Sequence, residues 1–463
     1  MTVVLLLVTF ITALVTLLVP WIGAAAYYVL GIMQPQNVWP WIFENIRIAL
    51  IITLVCVVSF VFALFMGKVN IKRLLHHQNI LMAVVWLMVN ASYHFSDFRF
   101  SAPVLYDLKA AFVLEYLNKA MAFYFIGVLL IDNIEKLIGL IYAICAVVVF
   151  YVYWSNHVYL SGMMWHYSEY GRMGGPGGLY EDENIFAMVF VVGLPMLYYI
   201  GLSAKRWYVR YAIWAIIPLL WHAIFLTGSR GAMLALGITT VYIAWKSYNR
   251  KLSIGLTAGL ALALIYQGGI LVSRVEWTKG MAEEPTVEAL DPRLISWKVG
   301  AEMIKDHPFL GVGAGAFTRA FPFYSDTKVY VAHNTFIQFA ADSGIIAGLI
   351  YLYLFWLPWR RPWTLSDTVK NSPYSLAPYL GDIIRASSIG FFVCSMFLNL
   401  MLFEVLYALL LMSLTWQFVN FQPKNTTADG PNAFSTRMDA GIGRRRHVKG
   451  YMPGGVRHQT PGD

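Results

Sequence analysis

Long apolar segments recur along almost the whole chain and constrain its fold more than any other feature. A helix crossing a hydrocarbon core of ~30 Å needs about 20 apolar residues. Such segments lie at 3–31, 46–66, 79–95, 110–131, 136–153, 184–202, 208–226, 231–246, 252–271, 334–357, 385–402 and 403–420. They do not alternate in polarity, which argues against a transmembrane β-barrel. The sequence predicts an all-α, polytopic transmembrane bundle of about 12–13 helices. It leaves open whether segment 3–31 crosses once or breaks at Pro20.

Composition supports a membrane protein and excludes a soluble globule. Of the 463 residues, 59% are hydrophobic and 13% are charged, and the mean hydropathy is +0.60. The three cysteines lie in apolar segments, and no Cys/His cluster has metal-ligand spacing, so we expect no disulfide framework, metal or cofactor. Residues 1–420 form the predicted membrane domain. Residues 421–463 are polar and rich in Gly, Pro and Arg, which predicts a disordered cytoplasmic tail.

Basic residues in short loops predict the orientation of the chain. With the segments above, five groups of basic residues in short loops and in the tail fall on one face, which the positive-inside rule assigns to the cytoplasm. These groups are Lys68, Lys72 and Arg73; Lys205, Arg206 and Arg210; Lys246, Arg250 and Lys251; Arg360, Arg361 and Lys370; and Arg444, Arg445, Arg446 and Lys449. The net charge of +9 is therefore mainly a topology signal with some attraction to membrane lipids, and nucleic-acid binding is not expected.

Four charged or titratable residues stand out on the opposite, outward face. Arg172 lies in the outward loop 154–183, Arg230 in the short hairpin 227–231, and Arg293 and His333 in the longest outward loop, 272–333. His333 stands at the mouth of a long apolar helix, where a side chain that titrates near neutral pH is a functional candidate. An arginine in an apolar hairpin such as Arg230 costs about 2.5–3.5 kcal/mol to insert.

Structural interpretations remain open for the same residues. His333 could be an interfacial histidine, with Asn334 merely capping the next helix, and Arg230 could extend from a helix end to the interface. Arg172 could pair with an acidic neighbour among Glu181, Asp182 and Glu183. Tyr180 is interpreted as part of an aromatic belt.

The long outward loop carries helical signals of its own. Asp291 and Pro292 are typical of a helix start, and His307-Pro308 is expected to end that helix. Between them, Leu294, Trp297 and Ile304 recur at roughly helical spacing and predict an apolar stripe that lies on the membrane surface or on the bundle. The alternating Gly311, Gly313 and Gly315 that follow permit tight turns or close approach of a ligand.

These motifs together resemble a known family. The run R-L-x-x-W…D-H-P-F-L-G-V-G-x-G-x-F from Arg293 to Phe317 and the run A-H-N-T-F-I-Q-F-A-A-D-S-G from Ala332 resemble the O-antigen ligase and polymerase superfamily of bacterial inner membranes, as does L-T-G-S-R-G-A around Arg230. The G-R-M-G-G-P-G-G…E-N segment is similar to O-glycosylation ligases associated with exosortase systems. The resemblance spans about residues 40–420. Asp342 departs from it, since relatives usually carry Glu there.

The resemblance implies an inner-membrane glycosyltransferase that acts on the periplasmic side. It would transfer a glycan from undecaprenyl pyrophosphate to an acceptor hydroxyl, on a protein or on lipid A core, without a metal or a nucleotide sugar. Arg230, Arg172 and Arg293 would bind the pyrophosphate, because guanidinium donors match phosphate oxygens. His333 would be the general base, with Asn334 and Asp342 in support. No nucleophilic carboxylate pair is evident, so direct attack would invert the anomeric carbon.

Two alternatives remain at this stage. A polymerase of glycan repeat units belongs to the same superfamily and would use the same arginines and loop. A transporter or flippase of an anionic lipid or solute would instead place charges at the bilayer midplane beside paired broken helices.

Overall fold

The computed structural model describes residues 2–43, 45–98, 109–163, 166–168, 171–247, 250–281, 292–359 and 365–420. The predicted tail, 421–463, and the predicted helix cap, Asp291, lie outside the described residues.

Helices account for nearly all the regular structure. In the first half of the described chain they are α1 Thr2–Leu18, α2 Pro20–Met33, α3 Pro35–Val38, α4 Pro40–Phe43, α5 Ile48–Phe65, α6 His77–Phe95, α7 Ala110–Leu130, α8 Ile134–Leu160, α9 Glu183–Ser203 and α10 Trp207–Trp214. In the second half they are α11 Ile216–Thr227, α12 Arg230–Lys246, α13 Arg250–Met281, α14 Pro292–Asp306, α15 Phe317–Ala320, α16 Thr335–Ser343, α17 Ile345–Trp356, α18 Asp367–Lys370, α19 Leu380–Ser395 and α20 Glu404–Asn420. Strand-like pairing in the described residues amounts to one isolated bridge, between Tyr167 and Met173. The all-α prediction is confirmed.

Within the described residues, five stretches of helix are long and apolar enough to cross a membrane: Ile48–Phe65, Ala110–Leu130, Ile134–Leu160, Glu183–Ser203 and Trp207–Thr227, the last formed by α10 and α11. Of the other predicted apolar segments, 79–95 and 252–271 lie in α6 and α13, which have 19 and 32 residues, and the rest form shorter helices or broken pairs. The chain is therefore a polytopic membrane bundle, as composition predicted.

Two predicted segments are broken helices, each with a local cause. Segment 3–31 divides into α1 and α2 at Val19, because Pro20 starts the second helix and cannot continue the first. Segment 334–357 divides into α16 and α17 at Gly344, whose φ is 90°. The break frees the Ile345 N–H, which donates to the Pro308 carbonyl at 2.9 Å and joins this segment to the outward loop.

Helix α9 lies at the centre of the bundle. Nearly all of its side chains are buried, in keeping with an all-round apolar helix. Ser387 of α19 donates to the Val192 carbonyl at 2.8 Å. Gly390 brings α19 so near that an added Cβ would lie 2.7 Å from Val191 Cγ1. This close contact fixes α19, and thus the residues that follow it, against the bundle centre.

Several boundaries differ from the sequence-based ones. Helix α13 continues to Met281, inside the predicted loop 272–333, while α14 starts at Pro292 and ends before His307, as expected. Within the predicted stripe on α14, Leu294 is 51% exposed, and the buried residues of the helix are Ser296, Val299, Gly300 and Met303. That buried face packs on α16, where Ile337 lies 2.6 Å from a Cβ built at Gly300.

Helix α20 separates two chemically different ends of the bundle. At its C-terminal end, the Arg73 guanidinium stacks on Phe418 at 4.6 Å, and Asn420 accepts from the Ser366 N–H at 2.9 Å. We call this the basic end, because two of the basic loops lie there. At the other end lie residues 396–403. The 17 residues of α20 place these ends about 25 Å apart.

Candidate functional site

The backbone at His333 is held in an unusual conformation from both sides. Its φ of 48° is in the left-handed region, which costs a non-glycine residue on the order of 1 kcal/mol. The Ala332 N–H donates to Gln338 Oε1 at 3.2 Å, and Trp297 Nε1 donates to the Ala332 carbonyl at 2.9 Å. Two side chains therefore fix both backbone polar groups of Ala332, the residue before His333. The half-buried imidazole extends from a rigid turn.

Asn334 starts the helix that follows His333. Its side-chain oxygen accepts from the N–H groups of Phe336 and Ile337 at 3.0 and 3.1 Å, which satisfies two free donors of the first turn. Its amide nitrogen donates to the Met396 carbonyl at 3.3 Å. The capping role considered from sequence is thus present, and Asn334 also joins α16 to the segment after α19.

Thr335 strengthens the same connection. Its hydroxyl donates to the Leu398 carbonyl at 2.7 Å and accepts from the Leu400 N–H at 2.9 Å. We call residues 396–400 the brace segment, because they hold the turn that carries His333.

Arg230 lies at the start of α12, beside the same brace segment. Gly228 ends α11 with a φ of 62°, and Ser229 Oγ caps α12 by accepting from the Ala232 N–H at 3.3 Å. Phe397 of the brace segment lies 3.3 Å from a Cβ built at Gly231. The neighbours Met396 and Phe397 thus contact the His333 turn and the Arg230 turn, respectively. The Arg230 side chain is exposed.

Arg172 contacts the Arg230 hairpin directly. Its Nε donates to the Thr227 carbonyl at 3.0 Å, and its Nη2 donates to Asn184 Oδ1 at 2.7 Å. Its Nε also lies 3.8 Å from Glu183 Oε1, an ion pair of the kind considered from sequence. One guanidinium nitrogen therefore holds the loop against the hairpin, and a second holds it against the start of α9.

Arg293 lies in the first turn of α14, four residues before Trp297. Residues four apart are neighbours on a helix surface, and Trp297 reaches Ala332. This spacing places the half-buried Arg293 on the side of α14 that faces the His333 turn.

Asp342 lies at the far end of α16 from His333, where it is 1% exposed. Its Oδ1 accepts from the Phe317 N–H at 3.0 Å. Its backbone carbonyl accepts from the Gly313 N–H at 3.0 Å and from Ser92 Oγ at 2.6 Å. These bonds attach the glycine-rich run of the outward loop to the bundle, so Asp342 positions the loop.

Sequence reasoning missed three contributors to this region. The brace segment has no motif that marks it, and Gln338 reads as an ordinary polar helix residue. Arg319, on α15, is only 7% exposed and lies two residues after Phe317. Its signal was available, since an arginine inside the small and apolar run GAGAFTRAFPF is unusual.

Burial changes the pKa of two side chains in the loop that carries Arg172. Burial lowers the pKa of the His166 imidazole and raises the pKa of the Tyr180 phenol well above its ordinary value, so both groups are neutral near pH 7. The aromatic-belt interpretation of Tyr180 is wrong, because its side chain is fully buried, with its ring 5.2 Å from that of Phe403.

Among the described residues, no three His, Cys, Asp or Glu side chains lie close enough together to hold a metal ion.

Comparison with known proteins bears on this region. Residues 215–352 match the family model described as O-antigen ligase. The match supports the superfamily resemblance seen in the motifs and includes Arg230, Arg293, His333 and Asp342, whereas Arg172 and the brace segment lie outside it. It does not address the exosortase-associated subgroup. No curated protein matches the chain.

Proposed function

We propose that this chain, whose residues 215–352 match the O-antigen ligase family model, transfers a glycan from undecaprenyl pyrophosphate to an acceptor hydroxyl at the periplasmic face of the bacterial inner membrane. The observation that carries the proposal is the convergence of two turns on the brace segment. Asn334, next to His333, contacts Met396, and Gly231, next to Arg230, contacts Phe397. The turns that carry His333 and Arg230 thereby contact the same segment, the brace segment.

The arginines act on the diphosphate of the donor lipid. Arg230 is exposed and can offer its fork of donors to phosphate oxygens. Arg172 uses two nitrogens on Thr227 and Asn184, so its part is to hold the hairpin and to add positive potential. Arg293, on α14, adds a third guanidinium for the diphosphate. Their charge stabilises the negative charge that develops on the leaving pyrophosphate.

His333 acts on the acceptor. Its imidazole takes the proton of the attacking hydroxyl as the new bond forms between that oxygen and the anomeric carbon. The bond from the anomeric carbon to the phosphate oxygen breaks, and undecaprenyl pyrophosphate departs with the bonding electrons. One direct displacement inverts the anomeric carbon. The acceptor is a protein, as the similarity to exosortase-associated ligases favours, or lipid A core.

The test is a transfer assay with the purified full-length chain in lipid vesicles, supplied with an undecaprenyl-linked glycan and candidate acceptors. His333→Ala should lower the transfer rate by about 100-fold or more, the usual contribution of a general base. Arg230→Ala should lower it as well, and Arg230→Lys should restore part of the activity, because it keeps the charge but loses the fork.

His307→Ala is the matched control. His307 lies in the same outward loop, with its ring 5.7 Å from that of Phe98, away from the brace segment. This variant should retain most of the activity. Full transfer by both His333→Ala and Arg230→Ala would refute the assigned roles, and growth of the glycan chain without transfer to an acceptor would identify a polymerase instead.

A further inference from the structure

A groove of about 830 Å³ opens between α6 and α7. Its polar lining consists of Trp86, Asn90, Tyr93, Glu115, Asn118 and Lys119, and its deeper wall is apolar, with Leu87, Ala122 and Phe123. We call it the α6–α7 groove. The glycosyl-transfer proposal makes no use of it.

An exposed ion pair lies in this groove within a membrane-crossing helix. Lys119 Nζ pairs with Glu115 Oε1, and their side chains are 55% and 61% exposed. Both residues belong to α7, one of the helices long and apolar enough to span a membrane. Charged side chains facing hydrocarbon are costly and are generally retained for a function. Acyl chains cannot hydrogen-bond to this ion pair, so the groove favours a ligand that has polar groups of its own.

The two residues of the pair are attached to the helix at different depths, although their charged groups are in contact. Helix α7 starts at the same end of the bundle as the outward loop, because Val113 Cβ lies 2.8 Å from a Cβ built at Gly315. Glu115 follows within the first two turns, and Lys119 begins about 6 Å deeper, four residues further along the helix. Glu115 is therefore attached nearer the surface than Lys119.

Amide hydrogen bonds fix the shape of the groove. Asn90 Nδ2 donates to Asn118 Oδ1 at 2.9 Å, and Asn118 Nδ2 donates back to Asn90 Oδ1 at 3.2 Å. Trp86 Nε1 donates to the same Asn118 oxygen at 2.7 Å. These bonds hold α6 and α7 at a fixed separation at the level of the ion pair, because Asn118 lies between Glu115 and Lys119 along α7, so the groove is formed before any ligand enters.

We propose that the α6–α7 groove binds a phosphoethanolamine lipid from the leaflet on the site side of the membrane. In such a lipid the phosphate lies next to the glycerol, nearer the hydrocarbon, and the ammonium lies further out. Lys119 therefore meets the phosphate and Glu115 meets the ammonium, each through charge-assisted hydrogen bonds. The acyl chains follow the apolar wall beneath.

The presence of both an ammonium and a carboxylate selects against other membrane lipids. An anionic headgroup that lacks an amine is attracted by Lys119 but is repelled by the Glu115 carboxylate. A choline headgroup has no N–H to donate to that carboxylate. Bound lipid would also stabilise the position of α6. This helix and the residue after it contact the outward loop and α16, because the hydroxyls of Ser92 and Ser96 donate to the carbonyls of Asp342 and Val312.

The experiment measures lipid retention and needs no enzymatic activity. The purified full-length chain, stripped of lipid in detergent, receives equal amounts of phosphatidylethanolamine, phosphatidylglycerol and phosphatidylcholine with identical acyl chains, and native mass spectrometry counts the bound lipids. The expected retention of phosphatidylethanolamine is about tenfold above either competitor, the ratio that one charge-assisted hydrogen bond supplies. Equal retention of the three lipids, or a preference for phosphatidylglycerol, overturns the proposal.

Two variants test the residues. Glu115→Gln with Lys119→Gln should abolish the preference. Glu115→Lys with Lys119→Glu keeps an ion pair at the same spacing but inverts its order, so it should abolish the preference as well. The matched control is Asp132→Asn with Lys136→Gln, which removes a second pair of the same spacing, 2.7 Å long, outside the groove, and should leave the preference intact. A preference that survives the inverted pair overturns the proposal.

Discussion

At the scale of single residues, His333 illustrates how a candidate catalytic side chain is held in a membrane protein. Its backbone has a positive φ. The preceding residue, Ala332, is fixed by two hydrogen bonds, one that its carbonyl accepts from Trp297 and one that its N–H donates to Gln338. Strain of this kind persists where surrounding contacts over-determine the conformation, and it is common at functional sites. The sequence identified the imidazole, whereas the partners that orient it lie on two different helices.

Asp342 provides a residue-scale prediction about stability. Asp342→Ala removes the acceptor of the buried Phe317 N–H, and leaving such a donor unsatisfied costs about 1–3 kcal/mol. The thermal unfolding midpoint of the purified protein in detergent should therefore fall.

Asp342→Asn is the matched variant, because its amide oxygen can still accept from Phe317. It should lose less stability than the alanine variant. Equal losses for the two substitutions would mean that the hydrogen bond to Phe317 contributes little.

At the scale of elements, the break between α16 and α17 positions the site more than either helix does alone. A continuous helix over 334–357 would keep the Ile345 N–H inside the helix. The break instead directs it to Pro308, next to the end of α14. The same turn brings the Asp342 carbonyl to Gly313. The outward loop is thus attached to the membrane domain at the C-terminal end of α16, while His333 lies at the N-terminal end.

Gly344→Ala tests this break. Gly344 has a φ of 90°, and a Cβ there would collide with the Phe309 carbonyl oxygen. The substitution should lower the free energy of unfolding by at least about 1 kcal/mol and should reduce transfer activity, because the outward loop loses its attachment. Thermal unfolding and the transfer assay measure the two effects.

Gly237→Ala is the control at the same scale. Gly237 lies inside α12, and no heavy atom lies within 4 Å of a Cβ built there. Alanine should be neutral or stabilise the helix by up to about 1 kcal/mol. A similar loss of stability at both positions would argue against a special role for the Gly344 turn.

At the scale of the whole molecule, the basic end and the brace segment lie at opposite ends of α20. Arg73 and Ser366 lie at the C-terminal end of α20, whereas the brace segment lies before its N-terminal end. Basic loops remain on the cytoplasmic side during insertion. We therefore expect the His333 and Arg230 turns to face the periplasm.

Cysteine labelling of intact cells with permeable outer membranes measures this orientation. The native cysteines are buried, so background labelling by a membrane-impermeant thiol reagent should be low. Lys328→Cys, on the outward loop, should react, and Lys72→Cys, at the basic end, should react only after the inner membrane is opened. Both lysines are exposed, so the comparison is matched. The reverse pattern would invert the proposed topology.

The sequence alone determined the fold class and most helix positions, because apolar length and helix-start signals are local properties of the chain. Pro292 began α14 and His307-Pro308 ended it as expected. The sequence left open which surface the apolar stripe of α14 contacts, and it did not predict that the small residues Ser296 and Gly300 are buried while Leu294 is exposed. Periodicity indicates which residues are apolar, but burial depends on the partner helix, which here is α16.

Only the tertiary structure decided how the candidate residues are held. Asn334 and Met396 are 62 residues apart, and no local pattern links them. Arg172 likewise proved to hold the hairpin through Thr227, 55 residues away, as well as adding charge. The sequence could name the cations and the imidazole because their chemistry is intrinsic to each side chain. Their support depends on which distant backbone groups lack a hydrogen-bond partner after helix packing, and that is settled only when the whole chain has folded.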